Sequence, residues 1–174
     1  MDAGVGVTID PTLRTLAAQV LAACRARRIM LVTAESCSGG LLCGALTAVP
    51  GSSDVVDRGF VVYSYEAKSE LLDVDPAVIR HDGAVSEAVA RAMAEGALAH
   101  SRAGLAIAIT GVAGPGSDSQ AKPTGLVWLA CAARGRGTIA EVHRFGDAGR
   151  DRVRALSVEA ALRLVLVALR PATS

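Results

Sequence analysis

The sequence predicts an α/β fold, a single-domain mixed β-sheet flanked by helices. Three observations predict it. Short apolar runs of strand length alternate with longer segments of helical periodicity in the first two thirds of the chain. Three strand-like runs then follow with one helix after them, so parallel strands are expected early and antiparallel neighbours late. Finally, 174 residues are the size of one domain, and 51% hydrophobic composition is ample to bury a core. With only 3% aromatics, that core must be filled by Ala, Val and Leu, which suit helices packed closely on a sheet.

Residues 1–10 are small and irregular and are expected to form a flexible tail ahead of a domain spanning 11–170. Asp10 can cap a helix that has Pro11 in its first turn. Leu13, Leu16, Ala17, Val20, Leu21 and Cys24 then form an apolar stripe at three- and four-residue steps. The run Ile29–Thr33 reads as a buried strand, and Leu41–Val49 as a helix stopped by Pro50-Gly51. Gly59–Ser64 is a second strand and Glu66–Leu72 a short helix. Asp75-Pro76 opens another turn or helix, and Ser86 starts an alanine-rich helix to about Ala99. Strands follow at Leu105–Thr110, Gly125–Ala132 and Thr138–Phe145. The terminal helix, Asp151–Leu169, is expected to bury Val153, Leu156, Ala160, Leu164 and Val167.

Composition narrows the function classes. A formal net charge of +1, mixed signs and few stacking aromatics give nucleic-acid binding little support. The cluster Arg25, Arg27 and Arg28 fits the C-terminal end of the first helix. No apolar stretch is long enough to span a bilayer, so no membrane partner is expected. Cys24, Cys37, Cys43 and Cys131 form no CxxC pair, and His81, His100 and His143 are scattered with no HExxH, so no metal site is expected. The start of the chain does not read as a signal peptide, and a cytoplasmic protein with reduced thiols is expected.

Three segments could carry chemistry. The turn Glu35-Ser36-Cys37-Ser38-Gly39-Gly40 joins a buried strand to a helix, the place where ligands bind in open α/β sheets. Its amides and glycines could hold a phosphate or the oxyanion of an acyl transfer. A plain helix cap by Ser38 is the competing reading. Cys37 rivals Ser36 as nucleophile, since a thiol at a helix N-terminus has its pKa lowered. In Tyr63-Ser64-Tyr65-Glu66-Ala67-Lys68, a lysine whose pKa is lowered by burial could serve as base to a serine, or lie solvated on a helix. The third segment, Thr110–Gly116 with Lys122–Gly125, reads as a ligand-wrapping loop or a mere turn. It does not fit GxGxxG, the Glu35–Gly40 turn is not a Walker loop, and no cofactor is implied.

Taken together these segments resemble the CinA C-terminal domain family, which includes stand-alone nicotinamide-nucleotide amidases. The family pattern AESCTGG, GxxxYSNxxK, GAVS, TGxAGP and KPxG appears as Ala34–Gly40, Gly59–Lys68, Gly83–Ser86, Thr110–Pro115 and Lys122–Gly125, in order, over about residues 12–169. The chain departs from it with Ser38 for threonine, Tyr65 for asparagine, Ser117–Ala121 for a second glycine-rich stretch, and a Gly-Asp-Arg stretched over Gly146–Arg150.

The resemblance implies hydrolysis of the carboxamide of nicotinamide mononucleotide to nicotinate mononucleotide and ammonia, without a metal, by a homo-oligomer. On this reading Ser36 attacks the carboxamide, and Lys68, acting through Tyr63, takes its proton. Ser38, Gly39 and Gly40 supply the oxyanion donors, with Ser64, Thr110, Gly111 and Gly114 also in contact with the substrate. Arg150 or the loop 110–116 binds the phosphate, and Glu35 orients Lys68 or binds the ribose. The competing class is a catalytically inactive nucleotide-sensing protein of competence or damage response. A third reading is an amidase for another amide.

Overall fold

The protein is described by a computed structural model covering residues 9–116 and 121–170. The expected tail, 1–10, lies outside it except for Ile9, which packs on the core, and Asp10. Five strands form one sheet: β1 (Leu31–Glu35), β2 (Val56–Val61), β3 (Leu105–Gly111), β4 (Leu126–Ala133) and β5 (Ile139–Arg144), in the order β2-β1-β3-β4-β5. β1 runs parallel to β2 and β3, while β4 is antiparallel to both β3 and β5. The mixed sheet expected from strand order is the one found.

Six helices cover it: α1 (Pro11–Ala26), α2 (Leu41–Thr47), α3 (Tyr65–Leu72), α4 (Pro76–Asp82), α5 (Glu87–Ala99) and α6 (Arg150–Ala168). The two-residue period of a strand sorts the core cleanly between two faces. Leu105, Ile107, Ile109, Leu129 and Cys131 face α1, α2 and α6. Ala106, Ala108, Ala130 and Ala132 face the alanine-rich α5 with α3 and α4 beyond it. Small side chains on both partners let α5 lie close to the sheet, which explains a core that does without aromatics.

Asp10 caps α1 through Thr12 and Leu13, and the six-residue stripe of α1 is buried as expected. β1 begins two residues later than expected because α1 ends in a Schellman motif. Arg28 sits in the left-handed region at φ 54°, and the amides of Arg28 and Ile29 donate to the carbonyls of Arg25 and Cys24. Ile29 is thereby tied to the helix end. Glu35, expected in the turn, is the last residue of β1.

β2 also sits earlier than expected, because it registers against β1 from Leu31↔Val56 to Glu35↔Val61. Past Val61 the backbone carbonyls turn inward to a buried side chain. On α6 the buried face is Val153, Ser157, Val158, Ala161, Leu162, Leu164 and Val165. Leu156 and Ala160 are only half-buried and Val167 is exposed, because α6 packs against α1, α2 and the sheet together and so buries a broader, rotated stripe. Among the described residues no helix is long and apolar enough to cross a membrane.

Candidate active site

The carboxyl ends of β1, β2 and β3 converge on one side of the sheet, and the chain turns there into α2, α3 and the glycine-rich loop. β1 delivers Ser36 as the first residue beyond its end, where the Ser36 amide still bonds the Ile109 carbonyl of β3 at 2.9 Å. α3 delivers Lys68 one turn in from its N-terminus, which is capped by Ser64 Oγ accepting from the Ala67 amide. The two side chains meet: Lys68 Nζ lies 3.1 Å from Ser36 Oγ, within the range for proton transfer.

Lys68 is 1% exposed and Ser36 9%. The other partners of the amine are backbone carbonyls, Val62 at 2.8 Å and Tyr63 and Ser64 at 3.4 Å each. It has no carboxylate within ion-pair distance among the described residues. Burial therefore works against its charged form and lowers its pKa to about 8. A neutral amine here can use both N–H groups on carbonyls and present its lone pair to the Ser36 hydroxyl.

Ser36 and Lys68 open into a cavity of about 370 Å³, within the range of small-molecule sites. Tyr63, Thr110, Gly111, Gly114 and Arg150 line the same cavity, so the segment after β2, the end of β3, the glycine-rich loop and α6 all contribute to it. Arg150 donates to the Gly114 carbonyl at 2.7 Å and to the Tyr63 hydroxyl at 2.8 Å, bridging two walls. The two candidates for the phosphate, Arg150 and the 110–116 loop, thus belong to one wall.

Several expectations are corrected here. The Glu35 carboxylate neither orients Lys68 nor faces the cavity. It is fully buried and accepts from the amides of Gly40, Leu42 and Cys43 at 3.0, 3.0 and 2.8 Å, capping α2. That role follows from Gly40, the N-cap residue, whose φ of 93° lets the chain swing the first α2 amides back over the end of β1. Ser38 is not the helix cap, since its hydroxyl is fully buried without a partner.

Ser38, Gly39 and Gly40 do not line the cavity. The Gly39 amide is spent on the Ser36 carbonyl at 3.0 Å and the Gly40 amide on Glu35. The amides of the turn without an acceptor among the described residues are those of Cys37 and Ser38, adjacent to Ser36. Ser64 is a helix cap outside the cavity. The Tyr63 phenol is exposed and turned to Arg150, so it does not relay between Ser36 and Lys68. The Cys37 thiol is pushed up to about 11 by burial, the opposite of the lowering expected at a helix N-terminus, which disfavours its thiolate at neutral pH.

Sequence reasoning also missed residues. Ala84 and Val85 line the cavity, and the Ala84 carbonyl is held by Thr110 Oγ1 at 2.7 Å. Lys122 donates to the Asp82 carbonyl at 2.9 Å, so the Gly83–Ser86 and Lys122–Gly125 motifs brace one another beside the site. Tyr65, noted only as a departure, lines the cavity mouth. Arg154, one turn beyond Arg150 on α6, donates to the Ser38 carbonyl at 2.9 Å; its i,i+4 spacing from Arg150 was the signal available.

Known proteins share this sequence pattern and fold. The family model for the CinA C-terminal domain matches residues 13–169. A CinA-like protein of Synechococcus sp. (strain RCC307) is 46% identical over 156 residues, covering 89% of this chain and 37% of the relative. A CinA-like protein of Syntrophobacter fumaroxidans is 45% identical over 141 residues, covering 81% of this chain and 33% of the relative. The chain therefore spans about a third of the length of these curated relatives. The crystal structure of the competence/damage inducible protein CihA from Agrobacterium tumefaciens superposes with a TM-score of 0.90 at 44% identity, covering 94% of this chain and 99% of that one. A CinA superfamily protein from Escherichia coli superposes at 0.86 with 34% identity, covering 94% and 95% of the two chains.

Proposed function

Since the chain belongs to the CinA C-terminal domain family, we propose that it is an amidohydrolase that converts nicotinamide mononucleotide to nicotinate mononucleotide and ammonia. The observation that carries the proposal is the buried Ser36–Lys68 contact of 3.1 Å opening into a nucleotide-sized cavity. A lysine without a counter-ion, held by carbonyls and aimed at a serine, is arranged as a base for that serine.

In the proposed reaction Ser36 Oγ bonds to the carboxamide carbon while its proton passes to neutral Lys68. The oxygen of the tetrahedral intermediate takes the negative charge and is met by the unpaired amide of Cys37, the turn residue after Ser36 that lines the cavity. The C–N bond then breaks, the Lys68 ammonium returns its proton to the leaving nitrogen, and ammonia departs. Water attacks the acyl-serine, giving a proton to Lys68; the C–Oγ bond then breaks as Lys68 returns that proton to Ser36 Oγ, and the product acid leaves as its carboxylate, its proton going to solvent. Arg150 and the amides of Ala113, Gly114 and Gly116 hold the phosphate, for which a guanidinium fork and glycine-rich N–H groups are suited.

Ammonia release from nicotinamide mononucleotide tests this. The wild type is expected to turn it over, and Ser36→Ala to lose on the order of 10⁴-fold or more in kcat while keeping its fold. Release by Ser36→Ala at near wild-type rate rejects the nucleophile. Nucleotide binding by the wild type without release favours a sensing domain, and release from other small amides alone favours another substrate.

A further inference from the structure

The side chain of Arg154 crosses from α6 to the turn that carries Ser36, and nothing in the reaction outlined above uses it. Its Nη2 donates to the Ser38 carbonyl at 2.9 Å, a carbonyl that also accepts from the Leu41 amide at 3.2 Å. Ser38 is fully buried and the Arg154 side chain is 30% exposed, so this charge-assisted bond is partly shielded from water. The Ser38 carbonyl is conjugated to the Gly39 amide, and that amide donates to the Ser36 carbonyl at 3.0 Å. The Ser36 carbonyl is in turn conjugated to the Cys37 amide, one of the two unpaired donors beside the nucleophile. The guanidinium charge is thus joined to that donor through two successive peptide groups, each polarised by the bond before it. Hydrogen-bond chains strengthen their members by roughly 10–30% per bond.

The placement is specific. Arg154 Nη2 lies 3.4 Å from where a Cβ on Gly39 would sit, so the turn is closed against the guanidinium. The only carboxylate within ion-pair distance of Arg154 among the described residues is the exposed Asp151, at 4.0 Å. Nε has no partner there at all. The charge is therefore directed at the turn, with little competition from an acid.

We propose that Arg154 is a positioning residue for the oxyanion donor, fixing the Ser36–Gly39 turn and polarising the Cys37 amide through the Ser38 and Ser36 carbonyls. The inference rests on the acyl-transfer reading of Ser36 but not on the identity of the amide. The test uses two readouts on the wild type, Arg154→Met and Arg154→Lys. The first is kcat and KM for nicotinamide mononucleotide. The second is the rate at which an alkyl fluorophosphonate labels Ser36. There the Oγ–P bond forms, P–F breaks with loss of fluoride, Lys68 takes the serine proton, and the phosphoryl oxygen gains charge in the same place.

Arg154→Met is expected to lower both kcat and the labelling rate about tenfold, less than the 10²–10³-fold cost of deleting an oxyanion donor outright. KM is expected to stay within twofold, and Arg154→Lys to recover to about a third of the wild-type kcat, since it keeps a charged donor without the guanidinium fork. Labelling of Arg154→Met at the wild-type rate overturns the inference, as does a loss borne by KM alone. If Arg154→Met fails to fold by circular dichroism, Arg154→Lys decides: kcat lowered about threefold at unchanged KM supports the inference, and wild-type kcat overturns it. A wild type that labels at Ser36 but releases no ammonia from the nucleotide removes the substrate reading and leaves this one standing on the labelling rates. A wild type that does not label at Ser36 overturns it.

Discussion

In the proposed reaction Lys68 accepts the Ser36 proton only in its neutral form, so activity is expected to follow its titration. Its pKa is lowered to about 8 because burial disfavours the ammonium, and its hydrogen-bond partners among the described residues are three carbonyls and one hydroxyl. From that value roughly 9% of the free enzyme carries a neutral amine at pH 7 and roughly 91% at pH 9. kcat/KM, which reports the free enzyme, should therefore rise about tenfold between pH 7 and 9, with a slope near one below pH 8 and a plateau above it. The second ionisation of the substrate phosphate lies near pH 6 and stays outside this window. Lys68→Arg places a group there that cannot shed its proton. It should lose about 10²–10⁴-fold in kcat/KM, the usual worth of a general base, together with the pH dependence. Ammonia release followed from pH 7 to 9.5 measures both. A flat wild-type profile, or a Lys68→Arg enzyme keeping more than a tenth of the activity at pH 8, refutes Lys68 as the base.

Glu35→Gln replaces a carboxylate serving three amides with a group that has one acceptor oxygen and an NH₂ directed at donors, so stability should fall by about 1–3 kcal/mol in urea denaturation. Gly96→Ala puts a Cβ 2.0 Å from the Leu72 carbonyl oxygen where α5 crosses the end of α3, and should cost about 1–3 kcal/mol, seen as a lowered Tm. For Lys68 the folded-state pKa is depressed from 10.5 to about 8, so between those values the unfolded chain holds the proton more tightly and wild-type stability gains as pH rises. Relative to Lys68→Met, the wild type should recover up to about 3 kcal/mol between pH 7 and 10.5 in urea denaturation. Carbonyls orphaned by the substitution shift both pH values alike and leave this difference intact.

The order and type of the elements were legible because periodicity is local: the α1 stripe, the alternation of β3 and the Ser86 start of α5 are each written in a dozen residues or fewer. Boundaries were less legible where a tertiary partner sets them. β2 ends at Val61 because its following carbonyls are claimed by Lys68, a residue on the next helix. α6 rotates its buried face because it touches two helices and the sheet at once. In the site, the motif residues Ser36, Lys68, Thr110 and Arg150 were legible as candidates and do converge on one cavity. What each side chain does was not. A glutamate beside a nucleophile reads as catalytic, yet three amides at the start of α2 take both its oxygens. The Cys37 thiol sits near a helix N-terminus, but desolvation outweighs the field of a short helix whose end amides are already satisfied.

The same observation explains how two ionisable groups flank Ser36 without neutralising one another. An ion pair between Glu35 and Lys68 would stabilise the ammonium and raise the lysine pKa toward or above its ordinary value, leaving almost no neutral amine at pH 7. The structure keeps them apart by giving each a full set of backbone partners, amides for the carboxylate and carbonyls for the amine. The sheet ends supply both sets: the chain leaving β1 turns back to offer N–H groups, and the chain leaving β2 turns inward to offer C=O groups. Among the described residues the lysine has no counter-ion, which is costly to stability below pH 8 and which the proposed reaction uses as base competence near neutrality, a stability–activity trade-off set by backbone geometry.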